Sequence, residues 1–185
     1  MSRWRTALAS KTLWQGGIIA YPTEAVWGLG CLPDNLEGVL KILALKKRSM
    51  DKGVILVAAD ISQFDLYLKG LSKQQLAHLQ SAWPGPVTYL VADNGNAPGW
   101  VVGDNDTVAL RVSDHPTVKS ICRAADSALV STSANPAGQK PARNSYWVRK
   151  YFGDQLDMIY PGELGARSNA SEIRDLASNR VLRKG

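Results

Sequence analysis

Short apolar runs alternate along the chain with segments whose apolar residues recur every three or four positions. The run Ile18-Ile19-Ala20-Tyr21 follows a Gly-Gly pair and predicts a short buried strand. Asp34 is placed to cap a helix, with Glu37 three residues on completing a capping box. Leu36, Val39, Leu40 and Leu43 share one face of that helix, which should run to about Lys46. The unbroken run from Val54 to Ala59 predicts a strand covered on both faces. Ser72 and Gln75 open a further helix, with Leu76, Leu79 and Trp83 turned inward, and Pro84-Gly85-Pro86 ends it. Strands are predicted at Val87 to Ala92 and Val108 to Val112. Asp114 and Pro116 open a helix whose apolar face is Val118, Ile121, Cys122 and Ala125. Ala128 to Ser131 predicts another strand, Asn144 to Phe152 a helix, and Met158 to Tyr160 a strand. Residues 171–183 form two short strands around Ala177-Ser178-Asn179.

Strands interleaved with helices indicate an α/β domain. The closing strand pair favours a twisted mixed sheet, flanked by helices, over a purely parallel one. No internal repeat or linker divides the chain, so residues 1–185 are expected to form one domain.

Composition narrows the chemistry. The two cysteines, Cys31 and Cys122, and the two histidines, His78 and His115, stand in no metal-type spacing. A zinc site and a histidine-dependent nucleophilic triad are both hard to build from them, and no metal ligand is assigned. No apolar run approaches the ~18 residues a membrane span needs. The N-terminal segment lacks the apolar stretch of a signal peptide, so a cytoplasmic monomer is the expectation. The net charge of +6, from 22 Lys and Arg against 16 Asp and Glu, favours phosphates, nucleotides or RNA as partners.

Four strand-end segments carry candidate chemistry, as ligand sites in α/β folds do. In Tyr21-Pro22-Thr23-Glu24 a hydroxyl and a carboxylate follow a strand, and Gly28 and Gly30 lie just beyond. Thr23 is either a turn residue or a ligand contact. Lys46, Lys47, Arg48 and Lys52 either complement the dipole of a helix end or offset the charge of a triphosphate. Arg111 lies on the opposite face of its strand from Val108, Leu110 and Val112. If covered, it needs a carboxylate partner or an anionic ligand. Ser131-Thr132-Ser133-Ala134-Asn135 gathers three hydroxyls and an amide suited to phosphate or carboxylate oxygens. The phosphate loop GxxxxGK followed by Ser or Thr, the dinucleotide fingerprint GxGxxG and the nucleophile elbow GxSxG are all absent. Any chemistry must rest on positioning and charge.

In order along the chain, YPTEAVWGLG, KKRSMDKG, WPGPVT, VALRVSDHP, STSANPAG and SEIRDL followed by LRKG resemble the YrdC-type threonylcarbamoyl-AMP synthase family. The similarity runs from Ile19 to the C-terminus and fits the short, TsaC-type branch. Ser49, Trp27 and Ala137 depart from the usual family residues. The resemblance implies an open, positively charged cavity in a YrdC-like fold. It also implies condensation of L-threonine, bicarbonate and ATP to threonylcarbamoyl-AMP and pyrophosphate. That makes the chain a nucleotidyltransferase of tRNA processing, handing its product to transferase proteins that modify adenosine beside the anticodon. Mg²⁺ would accompany ATP.

The family signatures fall on Lys46, Arg48, Ser133 and Asn135 as catalytic candidates and on Thr23 as a substrate contact. Lys52, Arg111, Ser131 and Ser171 join Thr23 as substrate-binding candidates. Two other readings stand beside this one. A double-stranded RNA-binding or ribosome-assembly factor, touching tRNA or other RNA directly, would bind RNA without consuming ATP. A transferase using carbamoyl phosphate would ignore threonine.

Overall fold

The structure is a computed structural model that describes residues 2–185. In chain order the elements are α1 (Arg3–Trp14), β1 (Ile19–Pro22), β2 (Trp27–Gly30), α2 (Leu36–Lys46), β3 (Ile55–Ala58) and α3 (Lys73–Ala82). There follow β4 (Val87–Ala92), α4 (Gly99–Val102), β5 (Thr107–Val112), α5 (Pro116–Ala125), β6 (Leu129–Ser133) and α6 (Ser145–Phe152). The chain closes with β7 (Met158–Ile159), β8 (Glu172–Asp175) and β9 (Val181–Arg183).

The strands form one mixed sheet in the order β7-β1-β2-β6-β3-β5-β4-β8-β9. The pairs β1–β7, β3–β5 and β4–β8 are parallel and the others antiparallel. Strand alternation splits the core in two. Ile18 and Ala20 point into one apolar cluster with Val39 and Ile42 of α2, Leu79 of α3 and Val148 of α6. Ile19 and Tyr21 point into the other, with Leu13 of α1 and Val118, Ile121 and Cys122 of α5. Helices therefore cover both faces. Among the described residues, no helix is long and apolar enough to cross a membrane.

Three helix starts follow from local chemistry, two of them differently from the sequence expectation. For α3, the Ser72 side chain accepts from the Gln75 amide, and the Gln75 side chain accepts from the Ser72 amide at 3.0 Å. For α2, the cap is Asn35, not Asp34: its Oδ1 accepts from the Gly38 amide at 2.9 Å. A Cβ on Gly38 would collide with that Asn35 side chain, so the glycine makes room for the cap. The buried stripe of α2 is accordingly Val39, Ile42, Leu43 and Lys46, and Leu36 and Leu40 face solvent. For α5, His115 replaces Asp114 as the cap, its Nδ1 accepting from the Thr117 amide at 3.3 Å. Asp114 instead pairs with Lys119 on the surface.

Besides the single-turn α4, two elements have no counterpart in the predicted pattern. Helix α1 buries only Ala9 and Leu13, leaving Trp4 and Trp14 exposed, so it shows almost no apolar periodicity. Strand β2, Trp-Gly-Leu-Gly, has glycine at every second position. Gly30 is required by crowding, whereas a Cβ on Gly28 would meet nothing nearer than 3.4 Å. A Cβ on Gly30 would lie 2.5 Å from the Val130 carbonyl oxygen and 2.9 Å from the Tyr21 ring.

Gly30→Ala should therefore cost about 1–3 kcal/mol through overpacking. In thermal unfolding followed by circular dichroism its melting temperature should fall by several degrees. Gly99→Ala, where a Cβ meets nothing within 4 Å, is the control and should melt with the wild type.

Candidate active site

On the face covered by α1 and α5, helix coverage stops short of the central strands and a cavity of about 840 Å³ opens. Its floor is apolar sheet: Ile55 and Val57 of β3, Ala109 of β5, Leu90 of β4 and Ile173 of β8. The run is covered on both faces, as the sequence predicted, except at Ile55, which is partly open to the cavity. Around the floor stand seven cationic side chains, Arg48, Lys52, Arg111, Lys140, Arg143, Arg167 and Arg183, and one carboxylate, Glu24. Hydroxyls of Thr23, Thr107, Ser131, Thr132, Ser133, Ser168 and Ser171 fill the gaps between the charges.

Arg111 is buried on the β5 face opposite Leu110, as its position in the strand implies. Its Nη2 donates to Glu24 Oε2 at 2.8 Å, and Ser113 Oγ donates to Glu24 Oε1 at 2.6 Å. Burial by itself would raise the Glu24 carboxyl. The Arg111 guanidinium and the Ser113 hydroxyl more than offset it and hold the group below the usual carboxylate range. Glu24 sits in the turn after β1, where Thr23 Oγ1 donates to the Val26 carbonyl at 2.7 Å. That turn is pinned from outside by the segment 161–171. The Gly165 amide donates to the Thr23 carbonyl at 3.0 Å and the Arg167 amide to the Glu24 carbonyl at 3.1 Å. This brings Arg167 and Ser171 to the cavity wall.

At the start of β3, Arg48 Nη2 donates to the Gly53 carbonyl at 3.0 Å. Gly53 adopts φ +57°, and a Cβ there would lie 2.5 Å from the Val102 carbonyl. Burial pulls the Arg48 guanidinium below its ordinary value. Across the cavity, Tyr21 Oη donates to Ser131 Oγ at 3.0 Å, fixing that hydroxyl at the cavity wall. Arg183 of β9 donates through Nη2 to the Ser171 carbonyl at 2.6 Å, and Ser171 Oγ shares a hydrogen bond with Thr88 Oγ1 at 2.9 Å. Burial and the Arg111 cation both lower the Arg183 guanidinium.

Of the nine candidates from the sequence, Thr23, Arg48, Lys52, Arg111, Ser131, Ser133 and Ser171 share this cavity. Lys46 and Asn135 do not line it. The Lys46 ammonium is buried beneath the loop after β6, where it donates to the Ser133 carbonyl and, at 2.9 Å, to the Asn135 carbonyl. Its own carbonyl accepts from the Ala137 amide at 2.8 Å. Burial and the neighbouring Arg48 cation pull its ammonium down to about 8. Asn135 Nδ2 bonds the Pro136 and Gln139 carbonyls, bracing the same loop. The sequence reading missed Glu24 as Arg111's partner, and the cations Lys140, Arg143, Arg167 and Arg183. No local spacing joins them in the sequence, and only the topology collects them.

Among the described residues no group of three or more His, Cys, Asp or Glu side chains converges on a metal-sized site. The one carboxylate at the cavity is already held by Arg111 and Ser113.

The comparisons agree with this architecture. Residues 11–185 match the family model Sua5_yciO_yrdC, described as "Telomere recombination". The chain is 52% identical over 179 residues to the threonylcarbamoyl-AMP synthase of Cellvibrio japonicus, covering 97% of this chain and 95% of that protein. It is 49% identical over 185 residues to that of Pseudomonas entomophila, covering both chains fully. Among solved structures, P. abyssi Sua5 complexed with L-threonine superposes with a TM-score of 0.89 at 25% identity, covering 96% of this chain. This chain spans about half, 52%, of that longer protein. E. coli YciO superposes with a TM-score of 0.87 at 21% identity, covering 100% of this chain and 90% of that one, and supports the fold.

Lys46→Met should keep the helical stem of the side chain and remove the clamp on the 133–137 loop. Two or more carbonyls then lose a buried donor, at about 1–3 kcal/mol each. The expected result is a lower urea midpoint together with faster hydrogen exchange at the Ala137 amide. Unchanged exchange there would separate Lys46 from the loop.

Proposed function

Because the chain belongs to the Sua5/YciO/YrdC family, we propose that it is a threonylcarbamoyl-AMP synthase, joining L-threonine, bicarbonate and ATP. The observation that carries this reading is the cavity: seven cations and a ring of hydroxyls around an apolar floor, in a volume suited to a nucleotide and an amino acid. Relatives of about half-identical sequence and equal length carry that activity in their names. They favour an enzyme over an RNA-binding or ribosome-assembly module.

The reaction asks little of a protein nucleophile. The threonine amine adds to carbon dioxide drawn from bicarbonate, giving a carbamate. A carbamate oxygen then attacks the α-phosphorus, the bond to the β-phosphate oxygen breaks, and pyrophosphate leaves. Negative charge grows on phosphoryl oxygens throughout, so fixed donors and cations supply the stabilisation. Arg48 and Lys52, beside the start of β3, are placed for the phosphates, with the Ser133 hydroxyl across from them. Arg111, Thr23 and Ser131 are placed for threonine, whose single carboxylate suits one guanidinium. Ser171 and Arg183 join the two groups from the β8–β9 side. Lys46 and Asn135 act on the reaction through the loop they brace.

Mg²⁺ enters with ATP as part of the substrate. With Glu24 engaged, phosphate oxygens and water would hold the ion. The product is a reactive mixed anhydride, which fits transfer in the cytoplasm to a tRNA-modifying partner, with tRNA itself close to the cationic rim.

Purified protein given MgATP, bicarbonate and L-threonine should release pyrophosphate, and leaving out threonine or bicarbonate should abolish the release. Arg48→Ala should lower turnover at least about 100-fold, the scale of one oxyanion-stabilising group, and melt within a few degrees of the wild type. Wild-type turnover in that variant would remove Arg48 from phosphate binding.

A further inference from the structure

ATP and bicarbonate are anions and threonine is a zwitterion that carries one carboxylate, so a cavity walled by cations attracts the negative groups of all three everywhere. ATP and pyrophosphate carry the larger charge and would outcompete an amino acid for any guanidinium. The single carboxylate of the wall is therefore informative by its position. Glu24 is not spread among the cations at random. It contacts Arg111 directly at 2.8 Å, in a pair whose side chains are 9% and 13% exposed. Arg183 lies close enough to Arg111 for the two guanidiniums to repel. At this end of the cavity Glu24 offsets one of the two guanidinium charges beside it, Arg111 and Arg183, with the backbone of Arg167 anchored next to Glu24.

The other end is not offset in this way. Arg48 is anchored on the Gly53 carbonyl, and Arg111 pairs in register with Val57. Four residues of nearly extended chain separate Gly53 from Val57, about 13 Å. Lys52 adjoins Arg48, and no ion pair to an acidic side chain is formed by either among the described residues. The cavity thus has one end where cations are unpaired and one where a carboxylate trims the charge.

We propose that Glu24 divides the cavity by charge, trimming the Arg111 end to accept the single carboxylate of an amino acid and to reject polyphosphate. Glu24 is a positioning and specificity residue. It holds one edge of the guanidinium, turns the remainder toward the ligand, and excludes the wrong anion. Held by Arg111 and Ser113 below the usual carboxylate range, it is a weak base for the threonine ammonium. Ser113 supports it from behind, and the Ser113 hydroxyl is itself fixed by the His115 amide at 3.1 Å. The inference rests on the synthase reading above.

The test uses pyrophosphate as the probe anion. In the wild type, threonine binding measured by calorimetry should be nearly unchanged by pyrophosphate, because the two occupy different ends. In Glu24→Gln, which keeps the shape and loses the charge, pyrophosphate should become competitive with threonine. Its inhibition constant against threonine should fall about tenfold or more, while the KM for ATP stays within about twofold. The variant's melting temperature is read alongside. A purely structural role would weaken both substrates together and leave the inhibition pattern alone. If pyrophosphate already displaces threonine from the wild type, or if Glu24→Gln shows the wild-type inhibition pattern, the proposal is overturned. Should Glu24→Gln fail to fold, the wild-type competition experiment decides alone. Absence of threonine-dependent pyrophosphate release in the wild type would overturn the synthase reading itself, which the threonine titration leaves separate.

Discussion

Like charges repel, and the whole arrangement depends on the fold's capacity to hold seven cations around one cavity. Three of them show how they are held. Arg48 leans on the Gly53 carbonyl, Arg183 on the Ser171 carbonyl, and only Arg111 has a carboxylate. Carbonyl dipoles orient a guanidinium without neutralising it. Burial lowers the Arg48 guanidinium, and burial with the Arg111 cation lowers that of Arg183, so holding these charges carries a cost. An arriving polyanion relieves that cost, so part of the energy spent in folding returns as affinity.

The sheet supplies the rigidity. Central strands β3, β5 and β6 carry Arg111 and Ser131 on the cavity face, with Leu56, Leu110 and Val130 packed into the core behind. Arg111 and Arg183 are thus placed on strand positions, the other cations stand on connecting segments, and two of those segments are tied down by Lys46 and by the segment 161–171. Lys46 illustrates how one residue serves two levels. Its stem completes the buried stripe of α2, and its ammonium bonds the loop that presents Ser133. The same burial that makes it a good clamp removes it from direct contact with ligand.

Much of this was legible in the sequence where burial imposes a period. The strands β3, β4 and β5 and the face of α5 follow directly from their apolar pattern. Helix α1 did not, because it buries only two side chains, and β2 did not, because its two apolar residues alternate with glycines, of which Gly30 is set by close packing against Tyr21 and Val130. Capping was read one residue early at α2 and α5. There Asn35 and His115 won over neighbouring aspartates because the geometry of the entering chain decided which side chain could reach the free amides. At the site, the motif residues Thr23, Arg48, Ser131 and Ser133 line the cavity, while Lys46 and Asn135 brace the loop beside it. The Glu24–Arg111 pair spans 87 positions of sequence, and nothing local joins them. Arg143, Arg167 and Arg183 are likewise assembled by topology alone.

The central claim is that the enzyme builds an activated carbamate on the α-phosphate of ATP, using carbon from bicarbonate. Supplying carbon-13 bicarbonate with unlabelled threonine and MgATP, and analysing the nucleotide products promptly by mass spectrometry, tests it at the bond in question. The account predicts a threonine-containing adenylate that carries the carbon-13 label and disappears when threonine is omitted. An adenylate of threonine without the label, or ATP consumption giving only ADP and phosphate, would contradict it.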